Sequence, residues 1–336
     1  MKRILSLFLV MLSALWLPSC ESGSKKVGIC LPSETDDIFK VEGEYLLNNF
    51  EQAGHEVFIE YCGNNAQNQI DAMKSLTSQK CDVIVISPID AKVLEQSVAD
   101  AKAAGINVVA YDKAIDGAST NITFDNSKTG RLIGEYLESK LNLKETKYKL
   151  DIEMFCGLAS DTDGEKAYND CLSILQPHFD EGRLNTGSGL REYAKVASAE
   201  NADKAKEAET RLIKLLAKYY IGSRNLTAIY TSDETLANGV RTALMGSGHN
   251  EKSYPVVTTI GCNLNTARCI KNGTQTMAVF SDRGKMLYAA FDIAQKYING
   301  GSGSVASKTF DPVIITKENY RAELIDSGIY SEEQLS

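Results

Sequence analysis

INVVAYDK, residues Ile106 to Lys113, is the stretch from which the fold is read. Mostly apolar residues run straight into Tyr111, Asp112 and Lys113. Such a run, preceded by the helix-stop pair Ala104-Gly105, predicts a parallel strand buried on both faces. Asp112 and Lys113 then emerge at its carboxyl end. In open α/β sheets the crevice beyond the carboxyl ends of the strands is where ligands bind. An acceptor beside a donor at that place can grip neighbouring hydroxyls of a small polar molecule; the alternative is an ion pair closing a loop.

The same rhythm recurs before this strand. VGICL (27–31) and DVIVISP (82–88) are apolar runs, the second the most apolar of the mature chain and expected at the centre of the sheet. HEVFIEY (55–61) alternates and predicts an edge strand with one face partly wet. Helices between them carry Phe39, Leu46, Leu47 and Phe50, then Ile70, Met73 and Leu76 behind an Asn64-Asn65 cap, then Val93, Leu94 and Val98 behind Asp90. Strand centres near residues 29, 59, 84 and 109 keep a βαβ period, and right-handed crossovers make the sheet parallel.

A second series follows. Asn121–Phe124 leads to a helix opened by Asp125-Asn126. Strands are expected at 150–156, 192–197, 228–231, 256–260, 275–281 and 310–316, with helices at 165–175, 202–219, 235–245 and 285–299. The helix at 235 is capped by Ser232 or Asp233. A flexible link is expected at Gly300–Ser304, and the acidic tail from Glu318 predicts a short terminal helix. The fold class is therefore α/β, with 336 residues and 43% hydrophobic content sufficient for two cores.

Composition excludes several functions. Lysine and arginine number 36 against 44 acidic residues, a net charge of −8, and no basic stripe is present, which argues against nucleic acid. No phosphate loop or dinucleotide signature survives, because Gly187-Ser188-Gly189 precedes an expected strand and 300–308 lacks the lysine of a phosphate loop. There is no nucleophile elbow and no HExxH, so neither an enzyme nor a cofactor is indicated. His55, His178 and His249 are far apart and no CxxC occurs, so no metal site is expected. Seven cysteines besides Cys20 cannot all pair; buried thiols are expected, with one bridge such as Cys262–Cys269 left open.

The first twenty residues stand apart. Lys2-Arg3, an apolar core from Ile4 to Leu17 too short to span a bilayer, and Leu17-Pro18-Ser19-Cys20 resemble a bacterial lipoprotein signal, an ordinary secretory signal being the alternative. Cleavage before Cys20 would leave that residue as the lipidation site, 1–19 as signal and 20–25 as tether, with the membrane reached through the lipid anchor alone.

Five stretches, LPSETDDIF, VIVISPIDAKVL, INVVAYDK, ITFDNSKTG and IKNGTQTMAVF, spread over most of the mature chain, resemble the sugar-binding proteins of bacterial ABC importers of the xylose, ribose and galactose type. The resemblance implies a type I periplasmic binding protein: two Rossmann-like lobes, 26–124 plus 281–306 and 125–280 plus 307–336, joined by three hinge crossings with the ligand cleft between them. It implies a monomer in the periplasm that holds a monosaccharide or sugar-like polyol. The closed form would be presented to an ABC permease or, alternatively, to a sensor kinase or chemoreceptor.

Carried over residue by residue, Asp112 matches the family's hydroxyl-gripping aspartate, and Lys113 stands where arginine is usual, keeping the charge without the planar fork. Phe39 occupies the place of a stacking tryptophan, or else belongs to the core of its helix. Asp161 and Asp163 lie in the polar loop that supplies ligands in the second lobe. Ser232 replaces a binding asparagine beside a retained Asp233, which is equally a helix cap. Asn263 stands for an acceptor carboxylate, and Ser281 for the lysine of xylose binders, unless Ser281 and Asp282 simply end a strand.

Overall fold

The computed structural model describes residues 24–199, 203–249, 253–300 and 305–336. The expected signal 1–19, the lipidation site Cys20 and most of the tether lie outside the described residues, as do 301–304 of the expected link.

The chain opens with β1 (Lys26–Leu31), α1 (Asp37–Gln52), β2 (Glu56–Tyr61), α2 (Ala66–Ser78), β3 (Val83–Ile86), α3 (Ala91–Ala103), β4 (Asn107–Asp112) and β5 (Thr120–Phe124). The second series is α4 (Asn126–Lys140), β6 (Leu150–Leu158), α5 (Thr162–Asp180), β7 (Leu184–Asn185), α6 (Tyr193–Val196), β8 (Ala197–Ser198), α7 (Lys204–Tyr219), β9 (Ala228–Thr231), α8 (Glu234–Gly246), β10 (Val256–Ile260), α9 (Leu264–Asn272) and β11 (Met277–Phe280). Then come α10 (Arg283–Ile298), β12 (Lys308–Phe310), β13 (Val313–Thr316) and a π turn over Arg321–Asp326.

Local chemistry sets these boundaries. Asp36, Asn65, Asp90, Asp125, Asp161, Asp203, Asp233 and Asn263 each accept a backbone N–H with the side chain at a helix start, satisfying donors that have no partner inside the helix. The β3 run is buried at every position, and β2, half-buried, lies at the sheet edge.

Six strands form one sheet in the order β12-β5-β4-β3-β1-β2, and the second sheet runs β13-β11-β10-β9-β6-β7 with β8 on β6. Each contains the doubly wound order 2-1-3-4-5, counted within its own series. β1 pairs in parallel with β2 and β3, β6 with β7 and β9, and β10 with β9 and β11, while β13 is antiparallel to β11. The chain passes between the sheets three times, after β5, after β11 and after β12. The protein thus has the α/β architecture of a type I periplasmic binding protein, with two parallel-sheet lobes.

The described residues also cluster into two compact units, one within Met1–Val109, Asp116–Ser119 and Phe291–Gly303, the other within Ala110–Ile115, Thr120–Ala290 and Ser304–Ser336. In the first, Val27, Ile29, Phe50, Met73, Leu76, Val85 and Val98 are fully buried, and Phe50 packs on Phe291 with ring centroids 4.8 Å apart. In the second, one core joins α4 and α5 to β6, β9 and β11, another lies under α7 and α8, and a third gathers α9 with the C-terminal residues. Among the described residues no helix is long and apolar enough to cross a membrane.

Three expectations are corrected, and the bridge left open by the sequence is absent among the described cysteines. Residues 192–197 are not a strand: Tyr193 and Val196, three apart, both point into the core, and the segment forms the single turn α6 followed by the two-residue β8. The late strand 310–316 is two strands, split at Asp311-Pro312, where proline offers no N–H to continue a ladder. The terminal helix is one π turn. Cys262 and Cys269 are free thiols rather than a bridge. One helix, α9, was not anticipated.

Candidate functional site

In a doubly wound sheet the first and third strands of the order leave a crevice at their carboxyl ends, where their connections diverge to opposite faces. In the second sheet this is the gap between the ends of β6 and β9. Gly157, buried near the end of β6, is its floor. A β carbon placed there would lie 3.6 Å from Asp233 Oδ2 and from Ser232 Oγ, and 3.8 Å from Asp161 Oδ2. Three of the residues singled out from the sequence therefore meet over one glycine.

Each is held by its own element. The Gly157 N–H donates to Ser232 Oγ at 2.8 Å, which fixes the buried hydroxyl between the two strands. Asp161 caps α5 by accepting from the Gly164 N–H at 2.9 Å, and Asp233 caps α8 by accepting from the Leu236 N–H at 2.9 Å. Capping uses Oδ1 in both cases, and the Oδ2 atoms are the ones turned to Gly157. Lys204 Nζ lies 3.6 Å from Asp233 Oδ2, so a cation tempers the two neighbouring carboxylates. Tyr193 roofs the same loop, its hydroxyl donating to the carbonyl of Leu158 at 3.0 Å. Asp163, two residues after Asp161, is exposed in the first turn of α5 and is not among the groups at Gly157.

The next strand end carries Asn263. Its side chain caps α9 by accepting from the Thr266 N–H at 2.9 Å, and its own N–H donates to the Glu234 carboxylate. Glu234 fills the space that a side chain at Gly261 would need; a β carbon there would come within 2.7 Å of it. Burial pushes the Glu234 carboxyl above its ordinary range, against the pull of the Asn263 N–H. Ser281 is half-buried just beyond β11, followed by Asp282 and Arg283 at the start of α10.

Asp112 ends β4 with φ at +77°, a left-handed conformation that side chains other than those of Asn and Asp seldom adopt. The turn throws the carboxylate out of the strand direction, where Oδ1 accepts from Arg283 Nη1 at 2.8 Å. Both partners keep roughly a quarter to a third of their side-chain surface open, 27% and 30%. Lys113 is exposed beside it. Phe39, in the first unit, is half-buried near the start of α1 between Ile38 and Val41, which are 52% and 64% exposed.

The arrangement is a set of fixed carboxylates and hydroxyls at strand ends, partly open and interleaved with Lys204 and Arg283. Such groups accept and donate hydrogen bonds. Among the described residues no group of three or more His, Cys, Asp or Glu is placed to hold a metal ion. Sequence reasoning did not reach Arg283 or Lys204, since each becomes distinctive only through its distant carboxylate partner.

A model described as a periplasmic binding protein domain matches residues 27–302. The chain belongs to the periplasmic binding protein family. Membership implies a periplasmic location. Among its relatives, the multiple sugar-binding periplasmic protein SbpA of Azospirillum brasilense is 30% identical, over 94% of this chain and 93% of that one. The D-xylose-binding periplasmic protein of Escherichia coli is 24% identical over 99% and 100% of the two chains. Among solved structures, an ABC transporter solute-binding protein from Clostridium phytofermentans with bound β-D-glucose superposes with a TM-score of 0.73 at 30% identity, covering 93% of this periplasmic binding protein and all of the other chain.

Proposed function

We propose that this protein is an extracytoplasmic solute-binding lipoprotein that captures a monosaccharide or sugar-like polyol in a cleft between its lobes and delivers it to an ABC permease. The observation that carries the reading is the strand-end set itself, with Asp112 beside Arg283 and Asp161, Ser232 and Asp233 over Gly157. Paired acceptors and donors of this kind suit vicinal hydroxyls. It is supported by a relative named for sugar binding and a glucose-bound structure, each at 30% identity.

In this reading Asp112 accepts two ligand hydroxyls while Lys113 and Arg283 donate, and Phe39 covers the apolar face of the ring. Asp161, Asp163, Ser232, Asp233, Asn263 and Ser281 line the second lobe. The lobes run over 26–124 plus 281–306 and over 125–280 plus 307–336, and the parallel pairing of β12 with β5 favours moving the last crossing just beyond Phe310. The protein acts as a monomer without metal or cofactor, and diacylation of Cys20 tethers it to a membrane.

Titration calorimetry of the purified protein against a panel of pentoses, hexoses and cyclic polyols tests the binding. Saturable heat with at least one member is expected, and a folded protein that binds none would refute it. Membrane retention lost on Cys20→Ser tests the anchor.

A further inference from the structure

The sulfurs of Cys30 and Cys62 approach to 3.9 Å in the first unit, both residues almost wholly buried at 0% and 3% exposure. We propose that Cys30 and Cys62 form a disulfide in the exported protein, a brace across the carboxyl ends of β1 and β2.

The backbone around the pair is already set for it. Cys30 lies in register with Glu60 of β2, and Cys62 is the first residue beyond that strand. The Cys62 N–H donates to the Leu31 carbonyl at 3.0 Å, and the Asn64 N–H donates to the Pro32 carbonyl at 2.7 Å. Gly63 and Asn64 both take left-handed φ, 60° and 55°, where the chain turns from β2 towards α2. Cys62 stands two positions beyond Glu60, the register partner of Cys30, so bringing the sulfurs from 3.9 Å to the bonding distance of about 2.05 Å needs side-chain rotation and backbone movement.

The remaining described cysteines lack such an arrangement. All seven described cysteines, Cys30 and Cys62 among them, are free thiols in this structure, buried except for the half-buried Cys269; the bond is inferred from the approach of the Cys30 and Cys62 sulfurs. The hydrogen bond between the pair also divides their chemistry: it draws the Cys62 thiol below its ordinary range while Cys30 is held well above. Either thiol can open the exchange once the strands part, and the balance is the same for both.

The step balances with a disulfide of the extracytoplasmic space, carried by a thiol oxidoreductase, as oxidant. With Cys62 opening, its thiolate attacks one sulfur of that disulfide and expels the other as a thiolate. Cys30, deprotonated in turn, then attacks Cys62 Sγ and releases the second donor sulfur. Two thiols of this chain lose two electrons and two protons, and the donor leaves as a dithiol. Because both sulfurs are buried, exchange takes place before β2 closes on β1 or during local opening.

The bond would pin the turn that begins at Pro32 and leads through Asp36 to Phe39. It stands independently of the sugar reading, and its failure would leave that reading intact.

The test uses the whole chain, exported by its host cell, trapped in acid and unfolded in iodoacetamide without reductant. Digestion and mass measurement should find the Cys30 peptide linked to the Cys62 peptide, with Cys81, Cys156, Cys171, Cys262 and Cys269 alkylated. Alkyl groups on both Cys30 and Cys62, or either one linked to a different cysteine, overturn the proposal. A melting experiment reads the brace. Reductant should lower the Tm of the unsubstituted protein by at least about 5 °C and leave a Cys30→Ala/Cys62→Ala double variant unmoved. An unsubstituted protein whose Tm ignores reductant, after reduction has been verified by mass, refutes the brace.

Discussion

Asp112 and Arg283 stand 171 positions apart in the chain, yet Arg283 Nη1 donates to Asp112 Oδ1 at 2.8 Å. The pair is neither buried nor fully solvated. A half-open pair of this kind costs little desolvation and retains lone pairs for a further partner. The left-handed φ of Asp112 ends the extended run at that residue, where Arg283 meets its carboxylate.

Asp112→Asn removes the anionic acceptor while leaving β4 intact, since asparagine tolerates the left-handed φ of this position and Val108, Val109, Ala110 and Tyr111 supply the burial. Loss of one charge-assisted contact of about 1.5–3 kcal/mol predicts sugar affinity lower by roughly tenfold to a hundredfold. Calorimetry measures the affinity and circular dichroism the fold. Unchanged affinity would place the ligand elsewhere.

Arg283→Met keeps the aliphatic stem of the side chain and deletes the donor. Without it the Asp112 carboxylate is free to rotate, so affinity should drop about tenfold while Tm moves little, the half-exposed pair contributing about 1 kcal/mol or less to stability. Binding as tight as in the unsubstituted protein would show that the arginine merely closes a surface ion pair.

Gly157→Ala separates site from scaffold. The added methyl would meet Asp233, Ser232 and Asp161 at ordinary contact distances of 3.6–3.8 Å, and the φ of Gly157 is not left-handed, so the fold should persist. The methyl puts an apolar group on the floor where hydroxyls are expected to bind, and affinity should fall at least about tenfold through lost hydrogen bonds. Retained affinity with an intact Tm would remove the β6–β9 crevice from the ligand site.

How far the fold could be read from sequence depends on where burial is two-sided. β1, β3 and β4 are continuous apolar runs because both faces are covered, and Asn65, Asp90, Asp125 and Asp233 announce their helices through capping chemistry that is wholly local. The signal failed where tertiary contacts decide. Tyr193 and Val196 form a helical turn because Tyr168 and the Leu158 carbonyl receive that tyrosine, a fact invisible in an alternating string. The short helix α9 has only Leu264, Ala267 and Ile270 at helical spacing, and Asn263 was read for its chemistry as a ligand rather than for its cap. Asp112 was legible because it follows a buried run. Arg283 was not, since an arginine in a first helical turn is ordinary until topology delivers it to a strand end.

Gly130 and Gly239 limit what the helix layers tolerate. A β carbon at Gly130 in α4 would lie 1.9 Å from the carbonyl oxygen of Ala167 in α5, and one at Gly239 in α8 would lie 2.0 Å from that of Ala205 in α7. Backbone cannot yield as a flexible side chain does, so Gly130→Ala should destabilise by about 2–3 kcal/mol despite the better helix propensity of alanine. Urea denaturation reads this directly, and a variant as stable as the unsubstituted protein would refute the close approach of α4 to α5.

Asp151, buried at the start of β6, gives a pH-dependent prediction. Burial alone would raise its carboxyl, but Arg224 grips both oxygens at 2.6 and 2.8 Å and Asn185 donates at 2.9 Å, and together they hold it below the ordinary carboxylate range. A folded-state pKa below the unfolded one means that the stabilisation is fully present above the unfolded value, near 4, and is lost as pH falls through the folded value. Asp151→Asn carries no titrating group there and leaves Arg224 without its counter-charge. The variant should therefore be less stable at pH 7 by about 2 kcal/mol, reduced from the fully buried case because Arg224 is partly exposed. The gap should hold down to about pH 5 and narrow below pH 4, where the unsubstituted protein loses the same interaction. Denaturation midpoints at pH 7, 5, 4 and 3 measure it, and a gap that widened in acid would reverse the assigned direction of the shift.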